Sequence, residues 1–360
     1  MPSQVLGLVA WATLAGLGCA LFSWLALRYA RARQLLDLPG RRRSHAIPTP
    51  RGGGVAIVLT LLVALPLIHW HDARLPLLVA AALVLVAGVG WLDDHRPQPV
   101  RRRLLVHVLA SAGLALLLSA LYPNPLPVWP IFVIGALATF WLVGCINAWN
   151  FMDGSNGLLT SQCLWLGLAL AIWFAASAGG HGALASPWAL LALTLAAACA
   201  GFLPFNFPRA VIFLGDVGSG ALGLVCGLLL LVAAWLAPER IWLLLLLPSA
   251  LLVDATATLL WRILTGRRWY TAHREHLYQW LIRSGRSHAR VAALYMGWNL
   301  LVVLPICLIL PHWPSAAMPL ALAVLALAAG LWWLGKRWLY AQCVQTRRAR
   351  RQVHEQGLNR

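Results

Sequence analysis

Only ten acidic residues stand in this chain of 360, so each carboxylate beside an apolar run asks for a reason. Asp93 and Asp94 are adjacent at the end of such a run. Neighbouring carboxylates repel unless a cation or proton relieves them. A divalent metal with oxygen ligands fits, as does a base whose pKa its neighbour raises; a solvated loop cap is the plain alternative. Asn147, Asn150 and Asp153 recur at i, i+3 and i+6, one helical face, just ahead of Gly154, Asn156 and Gly157. Two amides and a carboxylate at a helix end suit a metal–nucleotide better than lipid, because amides near a lipid boundary are costly without partners. Further on, Asn206 precedes Gly215-Asp216-Val217-Gly218-Ser219. A glycine-bracketed acid at a helix start can ligate Mg²⁺ while nearby N–H groups face a phosphate; equally, Asp216 or Ser219 can cap the helix.

Cationic groups complement these acids. His273-Arg274-Glu275-His276 brings two imidazoles and a guanidinium together, groups that neutralise diphosphate oxygens, with Arg able to do so bidentately. The spacing is not that of a zinc-binding HExxH helix. Near the start, Ser44-His45 and Pro48-Thr49-Pro50-Arg51-Gly52-Gly53-Gly54 fix an irregular backbone, with Arg51 and His45 available to an anion. Asp254 lies within an apolar run with Arg262 following. An ionisable residue at membrane depth is either functional or paired, here with Arg262.

The elements that position these residues are apolar. Hydrophobic residues make up 61% of the chain and charged ones 11%, with mean hydropathy +0.76. Eleven runs stand out, over about 5–27, 52–70, 76–92, 104–121, 127–145, 158–178, 188–203, 220–237, 241–261, 291–310 and 315–335. Each is about long enough for a hydrocarbon core of roughly 30 Å, although 188–203 needs flanking residues or local thinning. The expected fold is all-α and polytopic, with about 11 transmembrane helices. A single catalytic membrane domain would span 1–335, followed by a basic tail over 336–360. All of the 28 Lys and Arg except Arg74 and Arg240 fall in alternate gaps, and so do the acids, amides and imidazoles named above. The positive-inside rule makes that side cytoplasmic, with the N-terminus outside and the C-terminus inside. Residues 1–4 carry no basic region, so the first run reads as a retained helix rather than a cleaved signal peptide. A net charge of +18 confined to short loops points to topology and anionic lipid headgroups, not nucleic acid. The seven Cys show no metal-ligand spacing and read as small apolar helix residues. A transporter would place polar residues near the bilayer midplane, where only Asp254 approaches.

Taken in order, SHxxPTPRGGG, DD, NxxNxxDGxxGL, FLGDVGS and HRxHLYQ resemble the polyprenyl-phosphate N-acetylhexosamine-1-phosphate transferases from about His45 to Gln279. The last string looks closer to the O-antigen-initiating branch than to the peptidoglycan branch. The resemblance implies transfer of an N-acetylhexosamine-1-phosphate from a UDP-sugar to undecaprenyl phosphate, release of UMP and a need for Mg²⁺. It also implies a bacterial inner-membrane setting, and a homodimer is the assembly to look for. Carried over by position, Asp93 and Asp94 match an aspartate-rich motif, Asp153 the NxxNxxDG acid and Asp216 the metal-binding acid. His273 and His276 match a basic loop holding the diphosphate. The expected roles are Asp93, Asp94 and Asp216 in catalysis and Asp153 and Asp216 on the metal. Arg51, Asn147, Asn150, Asn156, Asn206, His273, Arg274 and His276 are expected on the substrates. Two departures stand out: His95-Arg96-Pro97 where some members carry a further Asp, and Asn156 where many carry Asp.

Overall fold

The computed structural model describes residues 2–38, 47–121, 128–178, 186–268, 271 and 273–358. Ser44 and His45 lie outside the described residues. The helices run α1 (Pro2–Ala32), α2 (Val55–Ala64), α3 (Arg74–His95), α4 (Val100–Leu121), α5 (Val128–Met152), α6 (Leu158–Ser177) and α7 (Pro187–Asn206). They continue as α8 (Gly215–Leu236), α9 (Ile241–Leu246), α10 (Ser249–Leu264), α11 (Leu277–Arg283), α12 (His288–Trp298), α13 (Leu304–Ile309) and α14 (Ala317–Leu358). The apolar runs are helical over most of their described length, because a helix satisfies its own backbone in lipid. The chain is an all-α, multi-pass membrane protein.

Among the described residues nine helices are long and apolar enough to cross a membrane, with α12 and α13 counted as one span. The pair around α9 and α10 makes a tenth, bent by 81°. That bend falls at Leu247-Pro248, where Pro cannot continue the hydrogen-bond ladder. Trp165 Nε1 donates to the Leu247 carbonyl at 3.0 Å, so a polar group at the break finds a partner. The expected run over 52–70 proves shorter than its composition suggests. It is apolar and helical only over Val55–Leu67, about 20 Å at 1.5 Å per residue, against a core of roughly 30 Å.

The helix α8 is the axis of the bundle. Every residue from Val217 to Leu230 is buried, with α3 and α5 packed along it and α2 and α6 also against it. The irregular stretch before α2 exists for this contact. Gly53 and Gly54 donate to the Phe213 and Leu214 carbonyls at 2.8 and 2.7 Å, and Phe213 N–H returns to Pro50 O at 2.8 Å. A Cβ on Gly54 would lie 2.2 Å from the Gly218 Cα, so the glycines allow two helix starts to touch. The strands β1 (Leu36–Asp37) and β2 (Thr49–Pro50) pair antiparallel, Leu36 opposite Pro50 and Asp37 opposite Thr49. This short ladder ties Asp37 to the same end of the bundle as the start of α8.

Candidate active site

The C-terminal ends of α3, α5 and α7 and the starts of α2, α6 and α8 meet around a cleft of about 320 Å³. Asp94, Asp153 and Asp216 line it together with Arg51, Arg274, Asn156 and Asn206. Seven of the expected residues, from five separate stretches of sequence, thus share one space.

Asp94 caps α8. Its Oδ1 and Oδ2 accept from the Asp216 and Val217 N–H groups, each at 3.1 Å, satisfying donors that the first turn leaves unpaired and meeting the positive end of the helix dipole. The cap therefore comes from another helix, not from Asp216 or Ser219. Gly215 makes the approach workable at φ +77°, and a Cβ there would stand 2.5 Å from the Asp94 carboxylate. The Arg51 guanidinium donates to the backbone carbonyls of Asp93, at 3.2 Å, and Asp94, closing the end of α3.

Asp216 is held from two sides. Arg103 Nη1 reaches Asp216 Oδ2 at 2.6 Å and Asp93 Oδ2 at 3.0 Å, so one cation bridges two acids. Asn150 Nδ2 donates to Asp216 Oδ1 at 3.0 Å and to Ser219 Oγ at 2.9 Å. Asp93 also accepts from the Gln98 N–H at 2.6 Å and does not line the cleft. Asn147 bonds back to the Val143 carbonyl. It lies behind Asp216, with Asn150, Arg103 and His107, in a second and smaller recess.

Asp153 follows the last residue of α5 and opens onto the cleft. Desolvation, and then the charges of Asp216 and Asp94, push its carboxyl well above the usual range, a cost that a cation would relieve. Among the described residues no three acidic, His or Cys side chains converge into a closed metal cage. Mg²⁺ needs no such cage, since one or two carboxylates, waters and substrate phosphates complete its shell. Asp153 and Asp216 fit that donor set. The turn after Asp153 is fixed from outside. His288 Nδ1 lies 3.0 Å from Ser155 Oγ and 3.3 Å from the Asn156 N–H. Asn156 Nδ2 donates to Pro208 O at 3.3 Å. The Asn206 amide accepts from the Gly157 N–H at 2.9 Å and donates to Ile212 O at 3.1 Å, so it holds backbone on both sides of the cleft.

The histidine loop divides. Arg274 lines the cleft; His273 and His276 do not. His276 is buried, its ring stacked on Phe151 and Tyr278 with centroids 5.9 Å away in each case, and tilted over His273 at 5.0 Å. Burial lowers both imidazoles, His273 to about 4, and it also lowers the Arg274 guanidinium. The two rings thus form the packed base of the loop whose guanidinium reaches the site.

Residues 76–234 match the glycosyl transferase family 4 model. The decaprenyl-phosphate N-acetylglucosaminephosphotransferase of Mycolicibacterium smegmatis is 30% identical over 320 residues, covering 79% of each chain. The Mycobacterium leprae protein of the same name is 29% identical over 79% of this chain and 80% of its own. The chain belongs to the polyprenyl-phosphate N-acetylhexosamine-1-phosphate transferase family. A further member, the undecaprenyl-phosphate alpha-N-acetylglucosaminyl 1-phosphate transferase of Thermotoga maritima, is 32% identical over 199 residues, 54% of this chain and 56% of its own. The family segment contains all four acids at issue, Asp93, Asp94, Asp153 and Asp216. Arg51 and Arg274 enter from outside it, so the cations of this member's cleft come from flanking sequence.

Several residues in and behind the cleft escape a reading of the sequence. Asp37 lines the cleft through β1, and nothing local marks a two-residue ladder closed across the 38–48 connection. Arg103 sits in a basic run that topology alone explains. Its spacing from His107, i to i+4 on α4, is the signal that both face inward. Gln279 and Ile282 also line the cleft, from α11. Arg262 pairs with Glu275 rather than with Asp254, because the loop folds back over the end of α10.

Proposed function

We propose that this protein transfers an N-acetylhexosamine-1-phosphate from a UDP-sugar to undecaprenyl phosphate, with Mg²⁺ as cofactor, and releases UMP. One observation carries the reading: four carboxylates, those of Asp37, Asp94, Asp153 and Asp216, and two guanidinium groups line a single cleft at the end of a membrane bundle. Carboxylates there suit a cation, and guanidinium groups suit phosphate oxygens. Asp216 and Asp153 would hold the metal. When bound, Mg²⁺ neutralises the reacting phosphates and the leaving UMP. Arg274 faces the donor diphosphate from one wall and Arg51 from another. Asp94 lines the cleft and Asp93 does not, so orienting or deprotonating the acceptor phosphate falls to Asp94. Asp93 acts at one remove, through the Arg103 bridge. An acceptor oxygen bonds to the sugar-side phosphorus as the bond from that phosphorus to the bridging oxygen breaks. One phosphoanhydride replaces another, so the reaction runs close to thermoneutral.

On this reading the basic end of the bundle faces the cytoplasm of a bacterium, with the protein in its inner membrane and residues 336–360 as a cytoplasmic tail. The product would begin a lipid-linked O-antigen or another cell-envelope polysaccharide. The names of the curated relatives make UDP-N-acetylglucosamine the first donor to try. Purified protein with that donor, undecaprenyl phosphate and Mg²⁺ is expected to release UMP. Release of UDP would mean glycosyl transfer without phosphate. No nucleotide release from any UDP-N-acetylhexosamine would overturn the reading.

A further inference from the structure

Asp254 sits in α10, 2% exposed, and none of its atoms lines the cleft. Yet its carboxylate gathers five donors. Oδ1 accepts from the Leu277 N–H at 2.7 Å, Trp332 Nε1 at 3.0 Å and Thr258 Oγ1 at 3.2 Å. Oδ2 accepts from the Tyr295 hydroxyl at 2.7 Å and the Tyr278 N–H at 3.2 Å. Two backbone N–H groups and an indole N–H can only donate, so both oxygens must accept. A buried carboxylate is costly unless so surrounded. Here α10, α11, α12 and α14 each supply a donor.

Leu277 and Tyr278 are the first two residues of α11, and their N–H groups are among those a helix leaves unpaired. Asp254 therefore fixes the start of α11 from a neighbouring helix, and α11 is part of the cleft wall through Gln279 and Ile282. Tyr278 carries the constraint further. Its hydroxyl donates to the Phe151 carbonyl at 3.0 Å, and a Cβ on Gly154 would lie 2.2 Å from the Tyr278 hydroxyl oxygen. The turn that presents Asp153 is thus pressed against α11. On the other side Arg274 precedes α11 by three residues, and Glu275 is gripped by Arg262 and, at 2.7 Å, by Arg267.

We propose that Asp254 is a positioning residue: by anchoring the start of α11 it sets where Arg274 and Gln279 stand in the cleft, and hence the grip on the donor diphosphate. The anchoring is independent of the reading under Proposed function; the ligand rests on it. Asp254→Asn keeps the size but turns one acceptor into a donor aimed at an N–H group. Two readouts on the full-length protein test it. Amide exchange in the peptide covering 273–283 is expected to accelerate about tenfold while α8 peptides stay unchanged. KM for UDP-N-acetylglucosamine is expected to rise about tenfold or more, with KM for undecaprenyl phosphate unmoved. In a double variant with Arg274→Ala the loss should fall well short of the product of the two single losses, because the two act through one loop. Unchanged exchange, or losses that multiply, would overturn the proposal. Should Asp254→Asn fail to accumulate, Tyr295→Phe removes one donor and leaves the carboxylate, with the same readouts expected at about threefold. Accelerated exchange in a protein whose wild type turns over no UDP-sugar would overturn the ligand named here, and the reading beneath it, while the anchoring stands.

Discussion

Asp93 and Asp216 share one guanidinium but stand differently toward the cleft, and the difference can be measured. Asp216 lines the cleft, with one oxygen on Arg103 and the other on Asn150. Asn at 216 can still meet Asn150 but cannot hold a cation as a carboxylate does. Turnover by Asp216→Asn is expected to fall about 1000-fold or more, with the amount of membrane-inserted protein unchanged. Asp93 stands behind the cleft, touching Asp216 and sharing Arg103 with it, its other oxygen being taken by the Gln98 N–H. For Asp93→Asn the expected loss is about tenfold, since Arg103 keeps one partner. Initial rates of UMP release check both. A collapse of equal depth at Asp93 would place its carboxylate among the reacting groups.

At the scale of elements, apolar length and alternating charge made the helices legible in the sequence, because lipid leaves the backbone few other choices. Their contacts were less visible. The triple glycine reads as a loop until the approach of Gly54 to Gly218 shows two helix starts meeting. Asp94 reads as one of a catalytic pair, yet its oxygens cap α8, 122 residues further along. Such pairings depend on how distant segments come together, and no local window records that. The histidine loop is the clearest case. The resemblance sends both imidazoles to the diphosphate, while the structure packs them against Phe151 and each other, outside the lining of the cleft. Packing of this kind has a pH signature. His273 stays neutral down to about pH 4 in the folded chain, whereas an unfolded imidazole titrates near about 6.5. Between those values the unfolded chain binds more protons, so stability falls as pH drops from about 6.5 toward about 4. His273→Gln should remove part of that acid sensitivity. Melting temperatures at about pH 5 and pH 7.5 are expected to lie closer together in the variant than in the wild type. An unchanged gap would mean that the ring is not desolvated by its neighbours.

For the whole molecule, sidedness decides which substrates the cleft can meet. The cleft lies at the start of α8, beside the 207–214 connection that carries Arg209, and Arg240 lies past the other end of the same helix. The spanning helix α8 has 22 residues, about 33 Å at 1.5 Å per residue, so these arginines stand on opposite faces of a hydrocarbon core of roughly 30 Å. Basic residues crowd the Arg209 side, and positive charge is retained in the cytoplasm. Arg209 and Arg240 are both exposed, and the native cysteines at 19, 145, 163, 199 and 226 are buried. In a Cys307→Ser, Cys343→Ser background, a membrane-impermeant maleimide added to cells with a permeabilised outer membrane should label the Arg240→Cys variant and spare Arg209→Cys. Disrupting the inner membrane should then expose the second. Under the proposed reaction, a donor supplied from the cytosol and a lipid phosphate at the membrane surface meet in the cleft only in this orientation. Labelling of Arg209→Cys in intact cells would turn the carboxylates outward, away from the donor, and the proposed reaction would lose its substrate.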